Sequence, residues 1–289
     1  MKIGLIRLRA DLMLLGAAII WGVTFAAQKS AMDNVGPISF NAIRCLIAAF
    51  SLYIASFFIK DKQQRKRRPL IEGGLITGTV LFLALAVQQI GIINTTAGKA
   101  GFISSLYIVI VAIFSWFLGN KISKYVWYAI FIAVIGLYLL SSPENGFSMG
   151  KGDITVLFSA VFFAIHIICI SKYVHKTNPV HLAGLQFFVA GILGTMACVI
   201  VETPNVINFQ KCLLEIIFAG IFGGGVAYTL QIMGQKHVKA HIASLILSLE
   251  SVFSVASGFI FLNEILSLKE ILGCSLLLIA VFIAQKKKK

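Results

Sequence analysis

Charge is what this chain has least of. Aspartate, glutamate, lysine and arginine make up 12% of its 289 residues, and only 11 are acidic, far below the share carried by a typical soluble domain. No polar stretch is long enough to form a soluble domain of its own. Recognisable enzyme sequences are also missing: there is no HExxH, no GxSxG, no Walker sequence and no metal-ligand cluster. Without a nucleotide-binding domain, ATP-driven pumping by this chain alone is not expected. Any energy source would be an ion gradient or exchange, and no cofactor is implied. The five cysteines, Cys45, Cys169, Cys198, Cys212 and Cys274, are scattered without CxxC spacing. They read as packing residues rather than disulfide partners, metal ligands or nucleophiles.

What fills the chain instead is apolar sequence, 58% of it. Ten mostly apolar runs cover 11–30, 36–59, 71–91, 97–118, 125–141, 153–172, 180–201, 213–233, 240–262 and 268–285. A hydrocarbon core of roughly 30 Å takes about 20 helical residues to cross. In that medium backbone groups must bond within the segment, so helices are the default spanning form. The expected fold is an all-α membrane protein of ten transmembrane helices. Lys2, Arg7 and Arg9 before the run from Leu12 imitate a signal peptide. Nine more runs follow and no small-residue cleavage site stands out, so the first run reads as a retained helix. Joints are marked by Gly36-Pro37, the 60–70 basic run, Gly119-Asn120, the 141–146 stretch, Asn178-Pro179 and Thr203-Pro204-Asn205.

The scarce charge is placed unevenly. With the N-terminus inside, nineteen of the 25 basic residues fall in cytoplasmic segments, while the opposite joints hold Lys29, Lys99, Lys151, Lys211 and Lys269. Arg44 alone lies within a span. The positive-inside rule then predicts a multi-pass protein of the inner cell membrane with both termini cytoplasmic. The net charge of +14 needs no nucleic-acid partner. The 60–68 run reads as a topogenic, solvated loop, with contact to anionic lipid as its alternative. Trp116, Tyr125, Trp127 and Tyr128 flank the 119–124 joint as an interfacial belt does.

The sequence also repeats itself. A shift of 142 pairs Asp11 with Asp153, Thr24 with His166, Pro37 with Pro179, Arg44 with Gln186, Gly78 with Gly220 and Gln89 with Gln231. A shift of 143 pairs Ala97 with Ala240, Ala100 with Ala243, Ser105 with Ser248, Tyr107 with Glu250 and Asn120 with Asn263. Two five-span halves follow, one over 11–141 and one over 152–285. Five is odd, so the second half enters the membrane in the opposite sense. Inverted repeats of this kind build secondary transporters, whose site lies near the midplane between halves that rock around it.

Several residues carry a family resemblance. Trp21-Gly22-Val23-Thr24-Phe25 resembles the WGxxF signature of EamA-type members of the drug/metabolite transporter superfamily. Pro37 with Arg44, the 95–102 stretch TTAGKAGF, Gly152-Asp153, Leu249-Glu250 and Asn263-Glu264 follow in order. The likeness spans essentially the whole chain. It implies a ten-helix carrier with two EamA domains, a central cavity between the halves, and import or export of small metabolites such as amino acids. The sequence departs from the pattern as well. Ile108 and Ser251 stand where similar proteins often have proline, and Lys121 where an acidic residue commonly ends the fourth span. Without those prolines the helices lose a predictable kink point.

Ionisable residues inside spans are rare and costly, which makes each a candidate for function. Glu250 lies about ten residues from the inner end of its span, or roughly 15 Å deep at ~1.5 Å per residue. A carboxyl there can carry a proton or meet a substrate amine. It can equally be a structural acid paired with Arg44 or bonded by Ser248 and Ser251. Arg44, roughly 12 Å from the outer face by the same rise, can hold a substrate carboxylate bidentately or anchor helices. His166 and Thr24 occupy matching positions in the two halves. Gln89 and Gln231 are matched amides suited to helix–helix bonding or to substrate contact. Trp21 and Tyr107 can pack on an apolar part of a substrate or simply on each other's helices. Lys99 sits at the outer mouth. The GxxxG pairs Gly74–Gly78 and Gly220–Gly224 permit close helix approach, within one chain or in a homodimer.

The sequence therefore predicts a secondary carrier of a small organic metabolite, an amino acid for example, working by alternating access with a coupled proton or other ion. An intramembrane lipid-modifying enzyme is an alternative, disfavoured because one central acid cannot supply an acid, a base and a nucleophile. A non-transporting scaffold subunit is another, and would leave the cavity without purpose.

Overall fold

The computed structural model describes residues 2–58, 67–141, 149–204, 206–263, 265 and 267–285, and every regular element among them is helical. Helix α1 (Lys2–Ala31) is followed by α2 (Pro37–Phe57), α3 (Arg67–Ile92), α4 (Ala97–Ser105), α5 (Tyr107–Phe117) and α6 (Lys124–Ser141). The second half holds α7 (Lys151–Tyr173), α8 (Pro179–Val201), α9 (Val206–Lys211) and α10 (Leu213–Phe218). A π-helical stretch, Ala219–Val226, leads into α11 (Ala227–Gln235), then α12 (Ala240–Leu247), α13 (Glu250–Leu262) and α14 (Leu268–Gln285). Eight segments are long and apolar enough to cross a membrane, and α6 and α14, of 18 residues each, stand at the fifth and tenth places. Positions 60–66 of the basic run, the 142–146 part of the joint before α7, Asn205, Glu264 and the lysines at 286–289 lie outside the described residues.

The helices start where the sequence supplies caps. Pro37 and Pro179 open α2 and α8, where proline's missing N–H costs nothing. The side chains of Asn178 and Thr96 accept from Val180 N at 2.9 Å and from Lys99 N at 3.1 Å. Helix α1 begins earlier than its apolar run at 11. Its basic first turns stay helical, with the Arg7 Nε donating to Asp11 Oδ1 at 3.1 Å, an i,i+4 pair. The outward surface is apolar, with Phe58 83% and Ile200 80% exposed. A patch of that extent suits a lipid surround rather than water.

Packing follows an exchange symmetry between the halves. α2 packs on α8, α6 on α14, and the α4–α5 pair on α12–α13. The pairing of α3 with α7 is mirrored by that of α11 with α1, α4–α7 by α12–α1 and α5–α7 by α13–α1. Two faces result. The distal face gathers the ends of α1 and α3 and the starts of α4 and α7, with Lys29 Nζ donating to Ile92 O at 3.2 Å and Ile93 O at 2.9 Å. The terminal face holds the start of α1, the ends of α7, α11 and α14, and the start of α12.

Two breaks correct the expectation drawn from the missing prolines. The fourth span is interrupted at Leu106 and the ninth at Ser248–Leu249, positions that match at the shift of 143. Serine hydroxyls sit at both breaks. Ser105 Oγ donates to Gly101 O at 2.8 Å, Ser248 Oγ to Leu245 O at 2.8 Å and Ser251 Oγ to Ser248 O at 2.7 Å. Side chains that bond back to the preceding turn compete with the helical ladder and bend it. Around the second break the backbone tightens, with Ser251 N donating to Ser248 O three residues back.

The GxxxG pairs act within the chain. A Cβ at Gly78 would lie 2.7 Å from Gln186 O and from Val189 Cβ, and one at Gly220 would lie 3.0 Å from Arg44 O. These glycines let α3 approach α8, and the π-helical stretch approach α2. Gly78→Val should therefore lower the melting temperature in detergent by several degrees, because overpacking costs about 1–3 kcal/mol. An unchanged melt would show that α3 and α8 are not in tight contact.

Candidate functional site

The halves enclose one central cavity, holding about 630 Å³ of atom-free space, mouth included. Seven of the eight residues singled out from the sequence line it: Trp21, Thr24, Arg44, Tyr107, His166, Gln231 and Glu250. The two helix breaks put the last acid there. Each break lies one or two residues before a lining side chain, so Tyr107 and Glu250 both begin new helices beside the cavity.

Arg44 and Glu250 are both buried, at 6% and 5% exposure, yet no ion pair joins them among the described residues. Arg44 Nε donates to Asn41 Oδ1 at 2.7 Å, and its guanidinium lies 5.3 Å from the centre of the Phe40 ring. Its Nη2 has no partner. Glu250 has no short bond: Ser105 Oγ lies 3.5 Å from its Oε1 with its hydrogen directed to Gly101 O, and the Tyr107 hydroxyl neighbours the same carboxyl. Ser248 and Ser251, the other expected partners, spend their hydroxyls on backbone carbonyls instead. Ionisable groups buried apart from each other have no partner to offset their desolvation.

The second half contributes a different polar group. His166 Nε2 lies 3.0 Å from Gln186 Oε1. Because that oxygen can only accept, the neutral ring presents a bare Nδ1. His166 Nδ1, Gln28 Oε1, Gln231 Oε1 and the Tyr107 hydroxyl are buried without partners, and all four side chains line the cavity. Thr24 is satisfied locally, donating to Ile20 O at 2.7 Å. Trp21 Nε1 donates to Gly223 O at 2.9 Å. An aromatic wall gathers around Tyr228, whose ring centre is 4.7 Å from Trp21, 5.0 Å from Phe187 and 5.7 Å from His166. Buried polar atoms are normally bonded, and the unpartnered atoms of these four side chains gather around one cavity.

Gln89 lies elsewhere. It is fully buried and donates to Gln28 O at 3.4 Å, while its neighbour Gln88 lines the cavity and donates to Ser104 Oγ at 2.9 Å. The π-helical stretch explains the difference. A π turn carries one extra residue, and the offset between the halves grows from 142 to 143 across Ala219–Val226. Beyond that stretch the true mate of Gln231 is Gln88, one position from the sequence pairing. Gln28 and Tyr228 also escaped notice: their mates Ile170 and Leu85 are apolar, so no matched signal flagged them.

The sequence profile of the EamA-like transporter family matches residues 8–142 and again 150–285. An uncharacterized transporter of Archaeoglobus fulgidus is 36% identical over 97% of this chain and 87% of its own length. A WAT1-related chloroplast protein of Arabidopsis thaliana is 24% identical over 93% of this chain and 68% of its own. The uncharacterized transporter YoaV of Bacillus subtilis is 21% identical over 93% of this chain. A solved crystal structure, 18% identical, covers 96% of both chains with a TM-score of 0.79, a likeness of fold. The chain is thus a multi-pass membrane protein built from two repeats, and it belongs to the EamA-like transporter family.

Proposed function

We propose that this protein is a secondary carrier that moves a small organic metabolite across the cell membrane by alternating access, with its terminal face cytoplasmic. One observation carries the reading: a buried guanidinium and a buried carboxyl share the central cavity without bonding each other. A solute that offers an anionic group to Arg44 and a hydrogen-bond donor or cationic group to Glu250 satisfies both. The acceptors Gln28, Gln231 and His166 add places for further donors, and Trp21, Tyr107 and Tyr228 supply a wall for an apolar portion. An amino acid has this outline. Glu250 is the group placed to exchange a proton with the solute's movement.

The test is counterflow in proteoliposomes with a panel of labelled amino acids, organic acids, amines and sugars. Saturable exchange of at least one solute is expected, competed by its unlabelled form. Covalently altered lipid with no solute movement would instead identify an intramembrane enzyme. The GxxxG faces are used inside the chain, so the protein is expected to run as a monomer in detergent when its mass is measured by light scattering.

A further inference from the structure

Lys99 and Asp153 fasten one end of the bundle, and among the described residues the mirror position at the other end holds no such ion pair. Lys99 Nζ lies 2.6 Å from Asp153 Oδ2, and Thr95 Oγ1 donates to Asp153 Oδ1 at 2.7 Å. Gly150 N donates to Asp153 Oδ2 at 2.8 Å. The Asp153 side chain is 3% exposed and that of Lys99 19%. These bonds tie the first turn of α4, in one half, to the first turn of α7, in the other. α4 is a nine-residue rod that ends at the Leu106 break.

The mirror position on the terminal face is built differently. The mate of Asp153 is Asp11, which is held by Arg7 of its own helix at 3.1 Å. The mates of Thr95 and Lys99 are Val238 and Ile242, which carry no charge. Among the described residues α12, the counterpart of α4, therefore shows no ionic tie to α1. Beside its first turn a cleft lined by Ser171, His175, Gln235, His237 and His241 is open to that face. Other polar links join the halves. Glu202 accepts from Ile38 N and Ser39 N at 2.9 and 2.8 Å on the distal face, and Tyr173 donates to Glu72 at 2.8 Å on the terminal face. Those links join α8 to α2 and α7 to α3, whose partners are not the broken spans.

We infer that the Lys99–Asp153 pair is a latch: it holds α4 shut against α7 on the distal face and has to open whenever solute passes on that side. The inference rests on the carrier reading given above. For solute to pass distally, α4 must swing away from α7 about Leu106, and the two charges must part. Parting them gives up the 2.6 Å charge-assisted contact and the Thr95 bond that fix the two first turns together.

The test uses full-length protein in oriented vesicles, with Gln28→Cys as a reporter in the cavity and the parent protein's own cysteines as the blank. An impermeant maleimide is added on the distal side. Lys99→Gln and Asp153→Asn should each raise the labelling rate about tenfold, and Thr95→Val should raise it less. The exchanged pair, Lys99→Asp with Asp153→Lys, should bring the rate back toward that of the parent and control for misfolding of the single variants. Equal rates in parent and single variants, or an exchanged pair that labels as fast as either single, would overturn the latch. Labelling needs no solute, so the two readings fail separately. Latch-dependent labelling without counterflow removes the carrier, and counterflow with indifferent labelling removes the latch.

Discussion

Exchanging Arg44 for glutamine should weaken solute binding sharply while making the folded chain harder to melt. The two effects come from the same atoms. Arg44 is buried with one side-chain bond, to Asn41, and an unpartnered Nη2. Such a charge destabilises the empty protein because its desolvation is not offset by a counter-ion. Glutamine already occupies the mate position, Gln186, fully buried, so it fits between helices at this depth. Thermal unfolding in detergent should shift upward by a few degrees. If the anionic group of the solute rests on the guanidinium, the half-saturating concentration in counterflow should rise on the order of 100-fold, as expected for losing one partner of a desolvated charge pair. Arg44→Lys should recover only part of it, because an ammonium cannot form the two-pronged contact. A lower melting temperature together with unchanged saturation would make Arg44 a structural anchor and take it out of the site.

Glu250→Gln is the second variant with a large expected effect. The replacement keeps the size of the side chain and its capacity to accept a hydrogen bond, and removes the negative charge. Maximal counterflow should fall on the order of 100-fold if the carboxylate contacts a cationic group of the solute. Whatever residual transport remains should lose the pH dependence seen in the parent. The chain should still fold, since no ion pair is broken. A rate and pH profile identical to the parent would remove Glu250 from the mechanism.

Much of this architecture was written in the order of residues. Uniform apolar runs named the spans, and the offset between halves named the repeat, because bilayer burial leaves little room for other patterns. The start of α1 was hidden: Arg7 and Arg9 resemble a flank, yet their pairing with Asp11 keeps them helical. The helix breaks were hidden for another reason. Serine is not a strong breaker by composition, and only the local bonding of Ser105, Ser248 and Ser251 to carbonyls in the preceding turn reveals the bend. Of the cavity, the charged and aromatic members were legible, since each is unusual in a span. Gln88 was not, because the change of offset was visible in the sequence while the place where it occurs, the π-helical stretch around Gly223, Gly224 and Gly225, was not. The pairing of Lys99 with Asp153 needed the fold, since 54 residues separate them.

Serine in place of proline at position 251 has a consequence for how far the ninth span can change shape. Proline would delete an amide hydrogen for good and fix a permanent elbow. Ser251 keeps its N–H, which donates to Ser248 O three residues back and stays available for the four-residue spacing of an ordinary helix. The interruption therefore costs the backbone no donor, and nothing covalent prevents α12 and α13 from joining into a single straight column.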